Sequence, residues 1–129
     1  MCLRLENELV RREIADTDMT VYKFMYERTR KCKLVYHTPY MGYEMQLNKL
    51  NKSILHKDYV NIEQGLHSLQ DLDSCVAEAK SNLNPSVNGN TVIVRCTIPK
   101  GAHFYRGTYG KFVSFASSRI ILNEIVKTI

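Results

Sequence analysis

No run of apolar residues approaches the roughly 18–20 positions that cross a bilayer, so no membrane helix is expected. The opening residues Met1-Cys-Leu-Arg-Leu-Glu-Asn-Glu8 carry acids where a signal peptide needs an apolar core, so the expected location is intracellular. Cys2, Cys32, Cys75 and Cys96 form no Cys-x-x-Cys pair, which excludes a zinc knuckle or a redox pair and leaves buried free thiols. His37, His56, His67 and His103 show no His-x-x-x-His or Glu-x-x-His spacing, so no metal site is expected. A Gly-x-Ser-x-Gly elbow is missing. Gly107-Thr-Tyr-Gly110 lacks the Lys-Ser/Thr of a phosphate loop and is expected to form a turn. Internal repeats, linkers and low-complexity segments are absent as well. No catalytic residue and no cofactor is therefore assigned.

What remains is ordinary for a globular chain: 129 residues, 44% hydrophobic and 24% charged, enough for one domain with a real core. Its net charge of +5 is unevenly placed. Residues 28–57 hold Arg28, Arg30, Lys31, Lys33, Lys49, Lys52 and Lys57 against Glu44 alone. Residues 92–119 hold Arg95, Lys100, Arg106, Lys111 and Arg119 with no acid. Such polarity favours an acidic partner, nucleic acid first.

The C-terminal stretch organises the chain. Thr91–Ile98, Ala102–Tyr105, Phe112–Leu122 and Glu124–Val126 are β-branched and aromatic, and Gly and Pro break them, so they read as strands. Strand alternation puts Val92, Val94 and Cys96 on one face, with Ile93 and Arg95 on the other. Met19–Tyr26 and Cys32–His37 read as a hairpin joined by the five-residue turn Glu27–Lys31, and Pro39 and Gly42 then break the chain. Tyr59–Ile62 is a weaker strand. Ser68 is expected as the N-cap of a helix, with Asp71 at N3. Leu69, Leu72, Val76, Ala79 and Leu83 line its buried face, and Asn84-Pro85 ends it. Residues 3–15, with Leu5, Leu9 and Val10 at helical spacing, predict a second helix. The expected fold class is α+β: a mostly antiparallel sheet packed by one central helix, with an additional N-terminal helix. Residues 1–129 form a single domain, 1–18 being the N-terminal helix or arm and 19–129 the core.

The order of several short motifs resembles a family. Val21-Tyr-Lys-Phe24, Tyr40-Met-Gly-Tyr-Glu-Met45, Gly65-Leu-His-Ser68, Val92-Ile-Val-Arg-Cys96 and Phe115-Ala-Ser-Ser-Arg-Ile-Ile-Leu122 look like the landmarks of small domains of unknown function in phages and mobile elements. The likeness covers residues 20–126 and departs at Leu47-Asn48, where that family has Gly, and in the N-terminal helix. It implies a phage setting in a bacterial host cytoplasm and no fixed activity. Proteins of that kind are often inhibitors of host functions, so an anti-CRISPR-like inhibitor is implied. Tyr36-His37-Thr38 also looks like the strand motif of ADP-ribosyltransferase-like enzymes. Gly65-Leu-His67-Ser68, Ala77 or Ala79, and Glu124 would fill the remaining places, with NAD as cosubstrate. The Gly that should follow the His is replaced by Thr38-Pro39. A phage accessory domain with only protein partners is a further alternative.

The basic segments carry the preferred expectation: a non-enzymatic protein that binds RNA or another nucleic acid, or a host protein or ribonucleoprotein complex. Arg28, Arg30, Lys31 and Lys33 cluster at a hairpin tip, where cations reach phosphates. Tyr105, Arg106, Tyr109 and Lys111 interleave aromatics with cations, a pattern that suits stacked single-stranded bases, and Lys100 lies just before them.

Overall fold

The computed structural model describes residues 3–39, 44–83 and 89–129. Its strands are β1 (Leu3–Arg4), β2 (Glu13–Ile14), β3 (Met19–Arg30), β4 (Lys33–His37), β5 (Glu44–Met45), β6 (Leu50–Lys52), β7 (His56–Asp58), β8 (Asn61–Gln64) and β9 (Leu66–Leu69). The helix α1 (Leu72–Ser81) follows, then β10 (Asn90–Ile98), β11 (His103–Tyr109), β12 (Phe112–Ser117) and β13 (Arg119–Thr128). The fold is therefore mostly antiparallel β, thirteen strands with one ten-residue helix among the described residues. The α+β expectation with two helices is overturned.

The N-terminal helix fails for a legible reason. Leu3 and Leu5 are fully buried while Arg4 between them is exposed, a period of two that pairs β1 with β8 and β11. Leu9, placed on the helical stripe, is 80% exposed. Asn7 turns the chain instead, its side-chain oxygen accepting from the Leu9 N–H at 2.9 Å. Residues 1–18 are thus no free arm, because β1 and β2 are knitted into the sheet.

The central sheet runs β6-β13-β10-β3-β9-β12-β11-β1-β8-β7, with β4 also on β3, β5 on β4 and β2 on β11. It is strongly curled. β12 and β13 lie four places apart, yet only Ser118 joins them. The expected strand 112–122 is thus two strands that bend at Ser118 and change halves of the sheet. Ser118 is held by His103, its N–H donating to the His103 carbonyl at 2.9 Å and its hydroxyl oxygen accepting from the His103 N–H at 3.2 Å. One core cluster accordingly unites Ile120 and Leu122 of β13 with Phe104 of β11. On a flat sheet those strands would stand about 24 Å apart.

The interior cluster takes Val21 and Met25 from β3, Val92, Val94 and Cys96 from β10, and Phe115 from β12. The outer face of β3 and β10 offers Tyr22, Phe24 and Ile93 to Leu72, Cys75, Val76 and Ala79 of α1. The alternation expected along β10 is present, and the helix stripe Leu72, Val76 and Ala79 packs on the face that carries Ile93. A third cluster closes the outside of β11 and β12 with Leu3, Leu5, Leu55, Ile62, Tyr105 and Ala116.

The helix begins later than expected. Ser68 and Leu69 belong to β9, and Asp71 is the N-cap, accepting from the Ser74 N–H at 2.7 Å. Leu83 is 52% exposed and lies beyond the helix, while the Asn84-Pro85 stop falls outside the described residues. Asp71→Ala is expected to cost about 1 kcal/mol. Ser68→Ala, by contrast, should be neutral or mildly stabilising, because the Ser68 hydroxyl is buried without a hydrogen-bond partner. Urea denaturation of both variants checks this. A larger loss at Ser68 than at Asp71 would contradict the cap assignment.

Candidate functional site: a cationic hairpin and a split in the sheet

The β3–β4 hairpin projects from the sheet, and every residue from Arg28 to Leu34 is exposed. Its turn is Lys31-Cys32 alone, both with positive φ, 52° and 65°. The five-residue turn is thereby corrected: Arg30 still pairs with Lys33, Thr29 with Leu34 and Arg28 with Val35. Two consecutive positive φ values make the tight turn that suits the twist of a hairpin. Asn-Gly normally signals such a turn, so Lys-Cys hid it. Alternation puts Arg28, Arg30 and Lys33 on one face of the ribbon, with Lys31 at the tip. Glu44 is the one acid bonded to the cluster among the described residues, 2.8 Å from Arg30. Arg28, Thr29, Arg30 and Gly89 line an open concavity of about 440 Å³. Gly89 is required there, since a Cβ would sit 2.0 Å from the Glu27 carbonyl oxygen.

The second basic segment is elsewhere. Leu69 of β9 is the register partner of both Tyr22 and Ser114, so β12 runs in the direction of β3. The β11–β12 turn at Gly110-Lys111 therefore lies at the Met19 end of β3, and the cationic tip lies at the Arg30 end. Twelve residues of strand, about 40 Å, separate the two levels. Lys100 follows Ile98, which pairs with Met19, so it belongs to the far end as well. Arg106 lies between the ends, its guanidinium 5.3 Å from the Phe115 ring centroid. Tyr105 is no stacking platform. It is 6% exposed in the outer cluster, under Arg12 and Lys57, each 5.9 Å from its ring centroid. Tyr109 is half-buried in the last ladder pair, opposite Phe112. Gly107 makes no turn but pairs inside β11, where a Cβ would meet the Arg4 carbonyl oxygen at 2.4 Å.

His37 and Glu124 do not meet. β3 and β10 separate their strands, about 14 Å of sheet. The His37 ring packs edge-on against Tyr26 at 5.6 Å, and Glu124 is ion-paired with Arg95. The ADP-ribosyltransferase arrangement is thus not assembled.

A feature that the sequence reading passed over lies where β3 changes neighbours. On one edge β3 pairs with β9 at Tyr22 and with β4 from Tyr26 onward. Between them the sheet splits into a cavity of about 450 Å³ whose lining includes Lys23, Met45, Ile54, Leu66, His67 and Ser68. Lys23 is 8% exposed, and its amine donates to the His67 carbonyl. Burial pushes that amine below its ordinary value. Burial, and then the Lys23 amine, bring the His67 imidazole down to about 4. Its Nδ1–H donates to the Gly65 carbonyl at 3.2 Å. The signal in the sequence was Lys23 itself, at an inward position between Val21 and Met25. Cys75 and Cys96 are buried thiols pushed up to about 12 by desolvation, whereas Cys32 is exposed at the hairpin tip and Cys2 lies outside the described residues.

His67 makes stability depend on pH. The unfolded chain takes a proton at about 6.5 that the folded chain refuses until about 4. The stability from its neutral form is complete above about pH 6.5 and is lost as pH falls through about 4. Urea midpoints near pH 7 and near pH 4.5 should fall more for the parent chain than for His67→Gln. Equal falls would contradict the assignment.

Among the described residues no helix is long and apolar enough to cross a membrane, and no three or more His, Cys, Asp or Glu side chains gather to hold a metal. Comparison with family models, curated proteins and solved structures finds no match.

Proposed function

We propose that this chain acts by binding, and that the β3–β4 hairpin is its phosphate-contacting element. The observation that carries this is an exposed, two-stranded ribbon with four cations in six residues, Arg28 to Lys33, of which Arg30 alone is ion-paired among the described residues, to Glu44. A ribbon of this shape reaches a phosphate backbone without disturbing the core. The partner is RNA, another nucleic acid, or a host complex loaded with one. The phage-family resemblance favours the last and an inhibitory, anti-CRISPR-like role in the bacterial host. Tyr105 leaves the expected contact set, because its ring is core. Lys100, Arg106, Tyr109 and Lys111 are assigned to a separate surface.

Fluorescence anisotropy with labelled single-stranded RNA and duplex DNA tests the reading. Four phosphate contacts predict that affinity falls about 50-fold for the single strand and about 150-fold for the duplex between about 50 and 200 mM salt. No binding to either probe at low salt would overturn it and leave an accessory domain with protein partners.

A further inference from the structure

We propose that the cavity beside β3 captures a small aldehyde or ketone, with Lys23 holding it as an imine. Cavities of this size accommodate small molecules. Lys23 points inward from β3, between Val21 and Met25 of the interior cluster. The step after the Tyr22–Leu69 pair puts Lys23 across from Ser68 on the same face. Ser68 is 1% exposed, and its hydroxyl has no hydrogen-bond partner. Lys23 and Ser68, the latter with an unused hydroxyl, thus line the cavity from neighbouring strands, with Met45, Leu66 and Ile54 supplying apolar surface.

Among the described residues no carboxylate pairs with Lys23. The two acids on the cavity lining are turned to other side chains, Glu44 to the Arg30 guanidinium at 2.8 Å and Glu63 to the His56 ring at 3.8 Å. Among the described residues the amine donates to a carbonyl, that of His67, which accepts from it in either protonation state. Burial lowers the amine's pKa from its ordinary value, against the opposing influence of Cys96 and Cys75, and so favours the neutral form relative to an exposed lysine. A neutral, desolvated lysine is a nucleophile toward carbonyl carbon.

The step balances without oxidant or reductant. The amine lone pair forms a C–N bond as the carbonyl π pair moves to oxygen. A proton passes from nitrogen to that oxygen, giving a carbinolamine. Loss of water leaves C=N. This is reversible capture, not turnover, and it is independent of the hairpin.

The full chain is incubated with butanal and sodium cyanoborohydride near neutral pH, and the reduced adducts are mapped by peptide mass spectrometry. An exposed lysine of ordinary pKa is neutral in only about one molecule in two thousand at pH 7, so the surface amines lag. The expected result is one butyl group on Lys23, ahead of every other lysine. The α-amine, which also reacts, maps to a different peptide. Lys23→Met keeps the apolar stem and should lose the early adduct while retaining the parent circular dichroism spectrum. Adducts spread over Lys31, Lys127 and other surface lysines, with Lys23 unmodified in the folded chain, would overturn the proposal.

Discussion

Replacing Phe115 with alanine is expected to remove about 3–5 kcal/mol of folding stability. Its ring is 2% exposed and packs edge-to-face on Phe104, with centroids 5.9 Å apart. β12, which carries it, lies between β9 and β11, just before the Ser118 bend. Truncation removes buried apolar surface and leaves a cavity where the two halves of the curled sheet meet. A domain stabilised by about 5–15 kcal/mol would lose a large fraction of that. Urea denaturation measures it, and the midpoint should fall with little change in slope. A loss near that of a surface substitution would show that Phe115 is not a keystone of the curled core.

Neutralising Arg28, Arg30, Lys31 and Lys33 together as glutamines is expected to lower nucleic-acid affinity on the order of 10³-fold at about 50 mM salt. Each phosphate contact releases about 0.7–0.9 of a counterion, which contributes up to about tenfold at that salt. Arg30 shares its charge with Glu44, so it should contribute least of the four. The fold should survive, because exposed charges on a ribbon contribute about 0–1 kcal/mol each. Circular dichroism and the urea midpoint establish that, and anisotropy then reads the affinity. Undiminished affinity in a folded variant would move the interface off the hairpin.

Much of the framework was legible because strands announce themselves by alternation. Val92, Val94 and Cys96 opposed to Ile93 needed only the period of two. The N-terminal helix was misread because Leu5, Leu9 and Val10 also fit a helical stripe, and only pairing with β8 and β11 favours the extended form. The bend at Ser118 carries no Gly or Pro, so one apolar run concealed two strands. The cationic cluster was legible as composition, but its partner segment was not. Sequence does not state which end of a curled sheet a turn occupies, and Tyr105 near Arg106 read as exposed until β1 and β8 covered it. The cavity was invisible for the same reason, since it arises where β3 passes from one neighbour to another.

The most direct test compares the slope of log K against log salt for the parent chain and two variants. One variant neutralises Arg28, Arg30, Lys31 and Lys33; the other neutralises Lys100, Arg106 and Lys111. With Lys100 and Lys111 at the end of the sheet away from the hairpin tip and Arg106 between the ends, the hairpin variant should reduce the slope by about 3, and the other should leave it within about 0.5 of the parent. A parent slope retained by the hairpin variant, or lost equally in both, would contradict the hairpin as the phosphate-contacting element.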